Sequence, residues 1–252
     1  MSALLPLPTK RDEAWRYGDL KALEPVWSRL AGPEQIVVPA GESVSRQITS
    51  LPVDEGVGVV NLDIDIGDHA QFALHMLVNA ADYGRIQVTA TLGKGAHFEL
   101  GGAILGSGKQ TLEIVTEVIH AQPNGTSNQV VRSVLAEKAT GSFLGKVNVE
   151  RDAQKTDAAQ SVKAMLLDRT ATANAKPELE IFADDVKCAH GATVGELDKQ
   201  ALFYMAARGL PPEQAQKLML HAFIADAFVS MDDDAAREEI EGQALGALED
   251  LL

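Results

Sequence analysis

"IGDHAQFAL" (66–74) and "LGKGAHFEL" (92–100) carry Gly, Ala, Phe and Leu at the same offsets, 26 residues apart. A repeat of that length suits a solenoid, in which each coil supplies strands to stacked parallel sheets and packs only against its neighbours. Around the pair the chain alternates with period two. Leu62, Ile64 and Ile66 do so in "VVNLDIDIG", Ile86, Val88, Ala90 and Leu92 in "RIQVTATL", and Phe143, Gly145, Val147 and Val149 in "FLGKVNVE". Such alternation marks half-buried strands. Gly, Asn and Pro punctuate the turns, as in "QPNGTSN" (122–128). "NQVVRSVLAEKA" (128–139) imitates a helix but sits among strands. From these features alone, residues 35–195 are a run of strands that closes as a sandwich or barrel or coils as a β-helix, and alternation does not choose among them.

Two helical zones flank the strands. In residues 1–34, Thr9 can cap a helix along which Trp15, Leu20, Leu23 and Trp27 recur, until Pro25 breaks it and a further turn or two follows. In residues 196–252 a first helix puts Leu197, Ala201, Tyr204 and Met205 on one face and stops at Gly209. Pro211 and Pro212 open a second helix, whose expected buried side is Ala215, Leu218, Met219, Ala222 and Phe223. A last acidic helix carries Ile240, Ala244, Leu248 and Leu251.

The composition narrows the partners. Asp and Glu outnumber Lys and Arg by 36 to 22, a formal charge of −14. Such a chain is a poor match for a nucleic-acid backbone or an anionic membrane, which want cations. Half of that charge falls in 231–252, either a solvated face or a dock for a basic surface. No run approaches membrane-spanning length. The start, "MSALLPLPTKR", has its cations after a very short apolar run, the reverse of a secretion signal. With one cysteine no internal disulfide can form, and a reducing, cytoplasmic setting is expected.

That cysteine is Cys188, in "VKCAHGATVG" (186–195), two positions before His190. Residues i and i+2 of a strand face the same way, while Ala189, Gly191 and Ala192 would let another backbone approach. Iron–sulfur clusters and zinc need several donors, and the chain offers no CxxC, no HExxH and no second thiol. The pair therefore reads either as half of a site completed by another chain or, for Cys188, as a small hydrophobe in the core. A Cys–His nucleophilic dyad fits poorly at this spacing, with no third group to orient it. Asp63, Asp65 and Asp68 could bind Ca²⁺ or cleave carbohydrate, but simple alternation puts the first two on a solvated face. Asp184 and Asp185 read as turn residues or as charges tuning an interface. His69, His75, His97, His120 and His221 lack metal-ligand spacing and are read as structural. "GSGK" (106–109) is followed by Gln110 rather than Ser or Thr and lacks the full P-loop pattern, so nucleotide binding by this chain is not expected.

The run "KPELEIFADDVKCAHGATVGELDKQALFYMAARGLPPEQAQKLMLHAF" (176–223) resembles the SufB/SufD family of the SUF iron–sulfur cluster assembly system, on its SufD side. "DEAWRYGDL" (12–20) is similar to that family's Trp-Arg-Tyr segment. The resemblance implies a right-handed parallel β-helix core over 35–195, mainly β with α-helical ends, and a C-terminal helical domain (196–252) that holds a SufC-like ABC ATPase. It implies a scaffold without catalysis of its own, paired with a SufB-like subunit; independently, the exposed sheet edge of a solenoid could pair two copies of this chain as a homodimer in isolation. It further implies that His190, and less directly Cys188, faces a transient iron–sulfur cluster shared with that partner. The rival, from the spaced carboxylates, is a polysaccharide-acting β-helix using Asp63, Asp65 and Asp68, which would want a secretion signal and basic residues that the chain offers little of.

Overall fold

The computed structural model describes residues 6–79 and 81–252. The solenoid begins with β1 (Glu34–Val38), β2 (Ser43–Ile48), β3 (Val53–Asp54) and β4 (Val57–Ile66). It continues through β5 (Gln71–Val78), β6 (Tyr83–Leu92), β7 (His97–Gly106), β8 (Thr111–His120) and β9 (Thr126–Leu135). It ends with β10 (Thr140–Val149), β11 (Asp157–Leu166), β12 (Thr172–Ile181) and β13 (Lys187–Gly195). One parallel sheet runs β1-β4-β6-β8-β10-β12 and the other β13-β11-β9-β7-β5-β2. Two strands per coil make a β-solenoid of about 6 turns. Strand β3 is a side hairpin on β4, turning through Glu55 and Gly56, both at positive φ as a tight two-residue turn demands.

The repeat that opens the sequence is the coil step. Ile66 lies beside Leu92 and Gln71 beside His97, both 26 residues on. Phe72 and Phe98 stack with centroids 6.5 Å apart. Later coils lengthen, so that Thr140 lies beside Thr172 and Asp157 beside Lys187. The alternating residues named above fill the interior. Leu62, Ile64 and Ile66 are buried, as are Ile86, Val88, Ala90, Leu92, Phe143, Val147 and Val149.

The N-terminal segment lies on the outer face of the first sheet, where Leu23 and Val26 pack on Val57 and Tyr83. The expected helix is broken into a 3-10 turn (Glu13–Trp15), the single-turn α1 (Leu20–Leu23) and another 3-10 turn (Trp27–Arg29). The cause is what lies beneath. Arg85 and Glu113, both fully buried, pair at 3.0 Å, Tyr83 Oη donates to Glu113 at 2.7 Å, and Trp15 covers the guanidinium at 3.8 Å. The chain must pass close over this cluster, and a Cβ on Gly18 would sit 2.8 Å from Tyr83 Oη. Asp19 then restarts the helix by accepting from the Lys21 and Ala22 amides.

Three helices follow the solenoid: α2 (Lys199–Ala207), α3 (Pro212–Ala225) and α4 (Asp234–Glu249). Helices α3 and α4 cover the outer face of the second sheet, setting Leu220, Ile224, Ile240, Ala244 and Leu248 with Leu77, Ala103, Leu105 and Val134 in one cluster. The last helix buries the side expected of it. The second does so in part: Ala215 is buried and Phe223 packs against the cluster, but Leu218 and Ala222 are exposed while Leu220 and Ile224 are buried in their place. Apolar residues run around much of that helix, so period alone left its rotation open and the sheet selected the face. Arg132 on β9 ties the end of α3 down through Asp226 (Nε to Oδ2, 2.8 Å), and His75 Nε2 meets Ser230 Oγ at 3.1 Å.

A candidate site at the open last coil

Strands β12 and β13 end the two sheets, each pairing along only one edge, with β10 and β11. The other edge of β13 leaves a row of backbone N–H and C=O groups free to pair. Its register on β11 sets Cys188 beside Ala158, His190 beside Gln160 and Ala192 beside Val162. Ala158, Gln160 and Val162 are all buried in the solenoid interior. Neighbours in register share a face, so Cys188 and His190 point to the interior side of the last coil, where no further coil covers them. The structure thus brings the expected pair together on one face. Cys188 is half-buried against the core. His190 is exposed at the mouth. On Gly191 an added Cβ would meet nothing within 4 Å, which leaves room for a second backbone.

Burial pushes the Cys188 thiol pKa up, the Asp157 charge adds to this, and a hydrogen bond with the Ala158 backbone opposes it. The side chain is therefore a thiol at neutral pH, and a metal cation beside it would favour the thiolate. Below the mouth lies a polar column. Thr116 Oγ1 donates to Gln129 Oε1 at 2.7 Å, while Gln129 Nε2 and both amide atoms of Gln160 make no hydrogen bond. An unpaired buried polar group costs about 1–3 kcal/mol. Sequence reading passed over these residues. The available signal was parity, since Gln160 stands where Ala158, Val162 and Ala164 mark the inward side.

The other candidates do not converge. Asp63 lies outward beside Gln35, whose Nε2 donates to it at 2.9 Å, and Asp65 is exposed. Asp68 sits in a turn and accepts from the Lys94 amide at 2.8 Å. Asp184 and Asp185 also form a turn, the latter paired with Lys155. The "GSGK" turn is occupied from within, because the Gly108 amide donates to Glu137 at 2.6 Å. Among the described residues no group of three or more His, Cys, Asp or Glu could hold a metal ion. No helix among them is long and apolar enough to cross a membrane.

The fold and site define a parallel β-solenoid with a helical appendage and a two-donor pair on an uncovered end. Residues 48–223 match the family described as SUF system FeS cluster assembly, SufBD core domain. The chain belongs to that family, as the run 176–223 suggested. It is similar to the SufD iron–sulfur cluster assembly protein of Escherichia coli (36% identity over 45% of this chain and 27% of the relative). It is also similar to SufD of Bacillus subtilis (28% identity; 65% of this chain, 38% of the relative) and to the chloroplast protein ABCI7 of Arabidopsis thaliana (36% identity; 56% and 30%). The matched span is less than two fifths of each relative's length.

Proposed function

We propose that this chain is a SufD-like scaffold subunit of a SUF complex, pairing with a SufB-like chain and a SufC-like ATPase to form the place where an iron–sulfur cluster is assembled. The cluster is cargo. One observation carries the reading: His190 and Cys188 share the interior face of the last coil, and among the described residues there are too few donors beside them to hold iron. A homologous strand added to the free edge of β13 would complete the donor set across the interface. A second copy of this chain would use the same edge in isolation. Neutral, the His190 imidazole offers iron a lone pair; protonated, it offers sulfide or thiolate a countercharge. The chain itself performs no catalysis in this scheme, and ATP-driven movement comes from the partner.

The ATPase dock proposed for residues 196–252 narrows to α2 and the adjoining face of α3. No residue of α2 is buried, and Phe203 (76%), Tyr204 (59%) and Leu218 (56%) stand exposed. A cytoplasmic setting belongs to the same proposal. The carbohydrate reading has no support, because Asp63, Asp65 and Asp68 face outward or sit in a turn.

The test is co-expression with a SufB-like and a SufC-like chain. His190→Ala is expected to leave the solenoid and the three-way complex intact and to lower cluster yield at least several-fold. Normal yield from a purified variant complex would remove the site. Phe203→Ser with Tyr204→Ser should release the ATPase alone.

A further inference from the structure

Gln160 lies one coil beneath His190, in register with it, on the interior side of β11. Its side chain is 3% exposed, and neither Nε2 nor Oε1 has a hydrogen-bond partner. Gly145, across the interior on β10, leaves space that both the Phe143 ring and this amide use: a Cβ there would lie 2.3 Å from the ring and 2.7 Å from Gln160 Nε2. The amide nitrogen therefore leans toward the first sheet. Packing alone does not account for glutamine here, since Met or Leu would fill a similar space with no polar atom to satisfy. Gln129, a further coil inward, has its acceptor taken by Thr116 and its own Nε2 unpaired, so the column does not close on itself. The side chain in the next register position outward is His190. Adjacent strands lie about 4.8 Å apart, a spacing that an amide and an imidazole bridge by side-chain rotation.

We infer that Gln160 is a positioning residue for His190: its Oε1 accepts the N–H of one imidazole nitrogen and leaves the lone pair of the other directed to the open edge. Histidines that ligate metal regularly donate their remaining N–H to such an oxygen, which fixes tautomer and ring orientation. The inference rests on the reading of His190 as the working donor, but it is tested without a cluster.

The ¹⁵N-labelled full chain is examined by long-range ¹H–¹⁵N correlation, with the His190 ring assigned from His190→Gln. One tautomer is expected in the wild type, a mixture in Gln160→Met, and restoration in Gln160→Glu, which keeps an acceptor oxygen. Gln129→Met, two coils in, should leave the His190 signals unmoved. A wild-type ring that already interconverts freely overturns the inference whatever the variants do, as does identical His190 tautomer content in wild type and folded Gln160→Met. A ring held by Gln160, together with normal cluster yield from His190→Ala, upholds the positioning and removes the proposed function. A free ring with cluster yield lost in His190→Ala does the reverse.

Discussion

His120 offers a prediction in which the magnitude follows from burial alone. It ends β8 inside the solenoid with no exposure, its Nε2 2.9 Å from Ser127 Oγ and its Nδ1 unpaired. Gly125 packs against that nitrogen, where a Cβ would come within 2.8 Å, and burial is the sole cause of the shift, with no charged neighbour to offset it. Burial pushes its pKa down from 6.5 to about 4. At 1.36 kcal/mol per pH unit, a shift of this size is worth about 3 kcal/mol once both states are titrated. The unfolded chain takes up a proton below pH 6.5 while the folded chain refuses it until about 4, so the unfolded state binds more protons in between. Stability from this group is complete above pH 6.5 and falls as pH drops toward 4, with about 2 kcal/mol gone at pH 5. Burial lowers the His75 pKa as well, in the same direction. Comparing wild type with His120→Gln cancels that contribution. Urea unfolding at pH 7.5 and pH 5.0 should therefore show wild type losing about 2 kcal/mol more than the variant. Equal losses, or a His120 ring that titrates near 6.5 by NMR, would refute the reasoning.

Gly101 on β7 packs beneath the turn that follows α3: an added Cβ would lie 2.0 Å from the Ala227 carbonyl oxygen and 2.6 Å from His75 Cδ2. Gly101→Ala must shift backbone, at about 1–3 kcal/mol, and should speed limited proteolysis around 226–232 while the sheets persist; unchanged cleavage would remove the packing account. Because burial raises the Cys188 pKa, iodoacetamide should alkylate it with a midpoint above the ordinary cysteine value of about 8.5. A midpoint below that value, read by mass spectrometry against pH, would mean that the thiol lies in a cationic setting the structure does not contain.

The solenoid was legible from one 26-residue repeat because the coils around Phe72 and Phe98 are the shortest. Later coils add residues in their turns, which erases the sequence period while preserving the stacking. Strand faces were legible for the same reason that Asp63 and Asp65 read as outward: alternation is local. What was not legible depends on a second surface. The rotation of α3 is set by Leu77, Ala103 and Val134 on the sheet beneath it, and the breaks near Gly18 by the buried Arg85–Glu113 pair. Both involve residues far apart in the chain. Cys188 and His190 drew notice as a thiol and an imidazole two apart, but the polar column under them did not, because glutamine on an inward position resembles any interruption of an apolar pattern.

The four terminal strands differ in how they manage an open edge. At the first end, Glu34 on β1 and Arg46 on β2 form a two-bond ion pair at 2.7 and 2.8 Å, placing charge across the mouth. At the other end β12 carries Lys176, Glu178 and Glu180, together with Pro177, which has no N–H to offer. Charge and proline are the usual defences of a sheet edge against pairing with another chain. Strand β13 has neither after Lys187: residues 188–195 are uncharged and lack proline, and Val194 is exposed. A solenoid guarded at three of its four terminal strands favours strand addition at the fourth. That strand is the one bearing His190, so the edge best suited to accept a partner is also the one where a partner's donors would meet those of this chain.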